Sequence, residues 1–152
     1  MTLDAGDPAP DVAAENQDGE LVRPSTDGPT VVYFYPRDAT PGCTTEARQF
    51  QRELETYRAA GVAVYGVSTD SVEDHRSFCE AEGLEFDLLA DPDAEVADAF
   101  GVDTSRGAAD RTTVVLHDGE VWRVYEQVDP DGHARAVLGD LLDAGVVTLP
   151  EE

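Results

Sequence analysis

Thr30-Val31-Val32-Tyr33-Phe34-Tyr35 is an uninterrupted run of β-branched and aromatic residues without a charge, and Pro36 ends it. A strand with one wet face alternates apolar and polar residues, whereas an unbroken run marks a strand buried on both faces. Such a strand needs a covering layer above and below it, which no small meander or isolated hairpin supplies. Val62-Ala63-Val64-Tyr65-Gly66-Val67 is a second run of the same kind. Between the two, Ala47, Phe50, Leu54 and Tyr57 recur at spacings of three, four and three, the apolar stripe of one helical face, and Gly61 supplies a stop.

The remaining pattern extends this alternation. Ser71 with Asp74 three residues later predicts the start of a helix that ends near Gly83. Residues 86–89 are expected to extend, and Asp91-Pro92-Asp93 to open a short helix closed by Gly101. Asp118-Gly119 between two β-prone runs, residues 113–116 and 121–125, predicts a tight hairpin. A last helix over residues 132–144 offers Ala136, Val137, Leu141 and Leu142 for packing. Asp18-Gly19 ahead of Leu21-Val22 suggests an N-terminal hairpin whose first strand lies around Val12. Parallel crossovers early and an antiparallel hairpin late imply an α/β fold with a mixed central sheet flanked by helices. That order suits a thioredoxin-like architecture with an N-terminal β-hairpin extension, formed as one domain over residues 1–152.

Charge narrows the partners. The formal net charge is −23, from 33 acidic and ten basic residues, and every basic residue is arginine. The acids are scattered through every segment, so they read as a surface tuned to concentrated salt, where ~1 M electrolyte shortens the Debye length to about 3 Å. A halophilic source is expected. Nucleic acid is not expected as a partner, because basic clusters are missing. The longest apolar stretch is far below the ~20 residues that span a bilayer, and the first residues lack the basic start and apolar run of an export signal. The expected location is therefore the cytoplasm, with no membrane contact. Two cysteines, Cys43 and Cys79, in a reducing compartment point to redox chemistry rather than a structural bridge. No metal or other cofactor is expected: no Cys-x-x-Cys is present, and His75, His117 and His133 lie far apart and are each expected at the surface.

Pro36-Arg37-Asp38-Ala39-Thr40-Pro41-Gly42-Cys43-Thr44-Thr45-Glu46 joins the first buried strand to the long helix. Cys43 falls at or near the first turn, where unpaired amides and the positive end of the dipole favour a thiolate over a thiol. Ionisation by itself gains at most about twentyfold, because roughly 5% of an ordinary thiol is already ionised at neutral pH. Further acceleration requires donors aimed at the group under attack. Thr40, just outside the helix, is placed to offer a hydroxyl, while Pro36 and Pro41-Gly42 stiffen the turn.

Pro36, Thr40 and Cys43 match the Pro-x-x-x-Thr-x-x-Cys signature of peroxiredoxins, and the run from Tyr33 through Glu46 resembles the peroxiredoxin Q branch, the bacterioferritin comigratory proteins. The similarity continues through Ser68-Thr69-Asp70-Ser71, Leu88-Leu89-Ala90-Asp91-Pro92-Asp93 and Arg111-Thr112-Thr113, nearly the whole chain. The resemblance implies a thiol peroxidase acting on hydroperoxides, with Arg111 as the catalytic guanidinium beside Cys43 and Glu46 in a supporting hydrogen-bond role. Arg37 and Arg48 are weaker candidates for that guanidinium. Many relatives carry a resolving cysteine five residues after the first, where this chain has Arg48. A second subgroup uses a cysteine in the helix that holds Cys79, so the resemblance implies a Cys43–Cys79 disulfide, reopened by a thioredoxin-like reductant. Packing of Cys79 in the core is the competing reading for that residue. A monomer is expected. A peroxide-sensing thiol protein without rapid turnover is the alternative function.

Overall fold

The computed structural model describes residues 3–105 and 107–149. In chain order these form β1 (Ala14–Glu15), β2 (Leu21–Val22), β3 (Thr30–Phe34), α1 (Pro41–Ala59), β4 (Ala63–Ser68) and α2 (Val72–Glu82). They continue as β5 (Asp87–Ala90), α3 (Glu95–Phe100), β6 (Thr112–His117), β7 (Glu120–Tyr125) and α4 (His133–Asp143). β1 and β2 pair as a small antiparallel hairpin; its first strand lies at Ala14, two residues beyond the expected Val12. Asn16 accounts for the offset, since its side-chain oxygen accepts from the amides of Asp18 and Glu20 and closes the turn early.

The main sheet has the order β5-β4-β3-β6-β7, with β3, β4 and β5 parallel and β6 and β7 antiparallel to their neighbours. Every residue of β3 is buried, as its unbroken apolar run requires. One face of the sheet packs on α1, α2 and α4 through Tyr33, Phe50, Tyr57, Phe78, Val137 and Leu141. The other is covered by α3 and the N-terminal segment through Phe34, Val96, Phe100 and Ala14. Phe50 stacks on Tyr33 with ring centroids 4.5 Å apart, fixing α1 across the sheet.

The helix signals act as expected from sequence. Ser71 is the N-cap of α2 and accepts from the Asp74 amide at 3.1 Å, and Gly83 ends the helix in the left-handed conformation. Asp91 accepts from the amides of Val96 and Ala97, which secures the start of α3. Asp118 and Gly119 both adopt positive φ, the conformation a two-residue hairpin turn needs.

Register decides where the chemistry falls. Phe34 lies opposite Val67 on the parallel side and opposite Thr112 on the antiparallel side. The exits of β3 and β4 and the entrance to β6 therefore meet at one end of the sheet. That end receives the turn carrying Cys43, the Ser68–Asp70 segment and Arg111.

Candidate active site

Helix α1 begins at Pro41, whose fixed φ and missing N–H suit the first helical position. Cys43 follows in the first turn. Thr40 is the N-cap, but its side chain makes no cap bond; its hydroxyl donates to the Arg37 carbonyl at 2.8 Å. The first-turn amides are thus left without a side-chain cap, and the Thr40 oxygen can still accept a proton-bearing partner. This differs from the expected role as a ready donor, because its hydrogen is already directed at Arg37.

The Cys43 sulfur is 1% exposed by residue and accepts from Arg111 Nη2 at 3.4 Å. Arg111 Nη1 in turn donates to Glu46 Oε1 at 2.6 Å. Glu46 lies one turn along α1 from Cys43, so helix geometry presents both side chains to the same guanidinium. Glu46 is completely buried, and its second oxygen, Oε2, has no hydrogen-bond partner. Burial pushes its carboxyl up to about 7 against the opposing pull of Arg111. Arg111 responds in the opposite sense: burial disfavours its charge, yet Glu46 and Cys43 together hold it more firmly protonated than usual. The carboxylate thus loses more by desolvation than the guanidinium returns to it.

Gly42 explains how the guanidinium comes so close. A Cβ there would stand 3.1 Å from Arg111 Nη2 and 3.5 Å from Pro130 Cγ. Pro36 is half-buried at the end of β3. Arg37 and Arg48 are exposed, and Arg48 is paired with Glu82 on α2, so neither faces the sulfur.

Cys79 is buried and free, as is Cys43, and no disulfide joins them. Both belong to the same apolar layer. Burial first, then the carboxylates of Asp38, Asp18 and Asp87, push the Cys79 thiol up to about 12. In this closed arrangement Cys79 is a poor nucleophile.

Two of the three histidines correct the expectation of surface positions, His117 staying partly exposed. His75 is 0% exposed and His133 7%, because each ring finds buried polar partners. His133 Nε2 meets Thr113 Oγ1 at 2.8 Å, and burial with the nearby Arg111 charge lowers its pKa to about 4, partly offset by Asp140. His75 Nδ1 is 2.6 Å from Asp38 Oδ2 and its Nε2 is 3.0 Å from the Leu89 carbonyl. Tyr35 donates to the other Asp38 oxygen at 2.5 Å. Asp70 accepts from the Asp38 amide and from Ser68. Asp38, Asp70 and His75 bring their ligand-type atoms within 4.8 Å of one another, but these hydrogen bonds already engage all three. Sequence reasoning missed this group; the one available signal was a second acid, Asp38, inside the cysteine turn.

Comparison with known proteins identifies the family. The AhpC/TSA family model matches residues 5–124. Peroxiredoxin Bcp of Escherichia coli is 39% identical over 147 residues, covering 90% of this chain and 94% of that protein. The Xylella fastidiosa peroxiredoxin Q superposes with a TM-score of 0.87 at 30% identity, over 95% of this chain and 99% of that one. Xanthomonas campestris peroxiredoxin Q gives 0.83 at 33% identity, over 93% and 99%. It was solved as two cysteine-to-serine mutants at positions 36 residues apart, the spacing of Cys43 and Cys79 here. Matched along most of its length by the family model and by these relatives, the chain belongs to the AhpC/TSA family, in the company of the Bcp and Q-type peroxiredoxins.

Proposed function

We propose that this peroxiredoxin reduces hydroperoxides with Cys43 and resolves the oxidised sulfur with Cys79. The Cys43 thiolate attacks the terminal peroxide oxygen; an S–O bond forms, the O–O bond breaks, and the sulfur gives up the electron pair. The departing oxygen leaves as water or alcohol after taking a proton. Arg111 stabilises the charge spread over sulfur and oxygens, Glu46 holds Arg111 in place, and Thr40 accepts the peroxide O–H, with Pro36 shaping the turn. The observation that carries this reading is the chain of contacts from Cys43 Sγ through Arg111 to buried Glu46.

The Cys79 thiolate then attacks the Cys43 sulfenic acid, forming the S–S bond and releasing hydroxide as water. The 36-residue spacing and common apolar layer of the two cysteines support this step. An external thioredoxin-like dithiol reopens the bridge. The substrate class includes alkyl hydroperoxides, in keeping with the Xanthomonas campestris bacterioferritin comigratory protein, which is described as having alkyl peroxide reduction activity. The protein works as a cytoplasmic monomer in a high-salt medium, without metal, nucleic acid or membrane.

Steady-state peroxide consumption with a dithiol tests the assignment. Cys43→Ser abolishes turnover, while Cys79→Ser still consumes one equivalent of peroxide and stalls as a trappable sulfenic acid. Full turnover by Cys79→Ser with the same dithiol would remove Cys79 from the mechanism.

A further inference from the structure

The two sulfur-bearing elements are joined by a buried polar clasp that the peroxide chemistry does not use. Asp38 lies in the turn that carries Cys43, and His75 lies on α2, one helical turn before Cys79. The His75 ring is fully buried and Asp38 is 9% exposed. The Leu89 carbonyl can only accept, so His75 Nε2 carries a hydrogen, and Nδ1 lies 2.6 Å from Asp38 Oδ2. Tyr35 satisfies the remaining Asp38 oxygen, and Asp70 fixes the Asp38 amide. Immediately after Asp38, Ala39 is held at φ +62°, a conformation that a residue with a Cβ resists unless its surroundings impose it. A cleft of about 470 Å³ opens between this turn and α2, lined by Arg37, Asp38, Ala39, Thr44, Asp74 and Phe78 among others.

We propose that the Asp38–His75 pair is the latch of the resolving step: it keeps α2 closed on the cysteine turn, and its opening sets the rate at which Cys79 reaches oxidised Cys43. The inference rests on the Cys43–Cys79 reading. Disulfide formation requires each thiol to leave its buried site, and cysteines on separate helices need local unwinding to reach bonding distance. Breaking the clasp frees the N-terminal half of α2 and lets strained Ala39 relax into the adjoining cleft. Asp38 also contributes to holding the Cys79 thiol protonated, so the same rupture that moves the thiol favours its ionisation. Asp38 and His75 are positioning residues, acting through α2 and not on the reacting atoms.

Rapid quench after one equivalent of hydrogen peroxide, followed by mass spectrometry, separates the two steps. Dimedone counts the Cys43 sulfenic acid and intact mass counts the disulfide. In His75→Asn and Asp38→Asn the sulfenic acid forms at a rate within about threefold of wild type, while the disulfide forms at least about tenfold faster. Tyr35→Phe, which keeps the ring and removes one donor to Asp38, accelerates disulfide formation by a smaller factor of about three. Unchanged or slower disulfide formation with a normal first step overturns the latch, as does a parallel slowing of both steps, which marks a general structural role. If circular dichroism shows the first two variants unfolded, Tyr35→Phe decides by the same criterion. A wild type that never forms the Cys43–Cys79 link removes the underlying reading instead, and is distinguishable from a wild type that links while its variants link no faster.

Discussion

Glu46 is a carboxyl for which burial and ion pairing conflict, and the conflict is readable as pH dependence. Its folded value of about 7 lies above the ordinary 4.5, so the folded chain holds this proton more tightly than the unfolded chain does. Its contribution is therefore favourable at low pH, declines as pH rises from about 4.5 to about 7, and is gone above that, a change of about 3 kcal/mol. Denaturant titrations should show wild type losing stability relative to Glu46→Gln across that window. Activity should run the other way, because the ionised carboxylate grips Arg111 more strongly. The kcat/KM profile of wild type should rise through an inflection near 7 that Glu46→Gln lacks, and the variant should be about tenfold slower at pH 8. A coincident profile for the two proteins would show that Arg111 needs no anion behind it. The cysteine and threonine of this site were legible in the sequence because their motif sits directly after a buried strand, whereas Arg111 came only from the family resemblance. The clasp of Asp38, Tyr35 and His75 was not, since its long-range partners are 37 and 40 residues apart and meet only in the fold.

At the level of the element, α2 is the part of the structure whose integrity should be adjustable without touching the reaction of Cys43 with peroxide. Ser71→Ala removes the side-chain acceptor for the Asp74 amide and should lower stability by about 1 kcal/mol, measured by urea unfolding, with the rate of sulfenic acid formation unchanged. The helices announced themselves by stop and start chemistry at Ser71, Gly83 and Gly101, whereas Pro41, read as part of the turn, is the first residue of α1. The hairpin at residues 118–119 was equally plain, while that at 18–19 showed only in its turn and second strand. The short first strand was misplaced by two residues because the Asn16 side chain, and not an apolar alternation, defines its end. Burial of His75 and His133 went unseen for a related reason: a histidine on a helix shows no sign in sequence of whether a carbonyl or hydroxyl will meet it in the interior.

Across the whole molecule the dominant quantity is charge. With a formal −23 on 152 residues, mutual repulsion weakens the folded state in dilute buffer, and added salt screens it. We expect residues 1–152 to unfold as one cooperative unit, with a melting temperature that climbs by ten degrees or more between dilute buffer and ~2 M potassium chloride. Calorimetry in the two media measures it, and equal melting temperatures would separate the acidic composition from any adaptation to brine. Among the described residues, no helix is long and apolar enough to cross a membrane.

Cys43 and Cys79 lie in the same packed layer beneath the sheet, and that placement sets evolution an awkward trade. If Cys79 resolves Cys43 as proposed, a catalyst whose second sulfur must travel through its own interior cannot be made indefinitely rigid without becoming sluggish. Substitutions that tighten this layer should lengthen the life of the sulfenic acid, leaving it open to further, irreversible oxidation by excess peroxide. On that proposed mechanism, durability toward heat and durability toward oxidant are opposed, and a chain selected for one concedes some of the other.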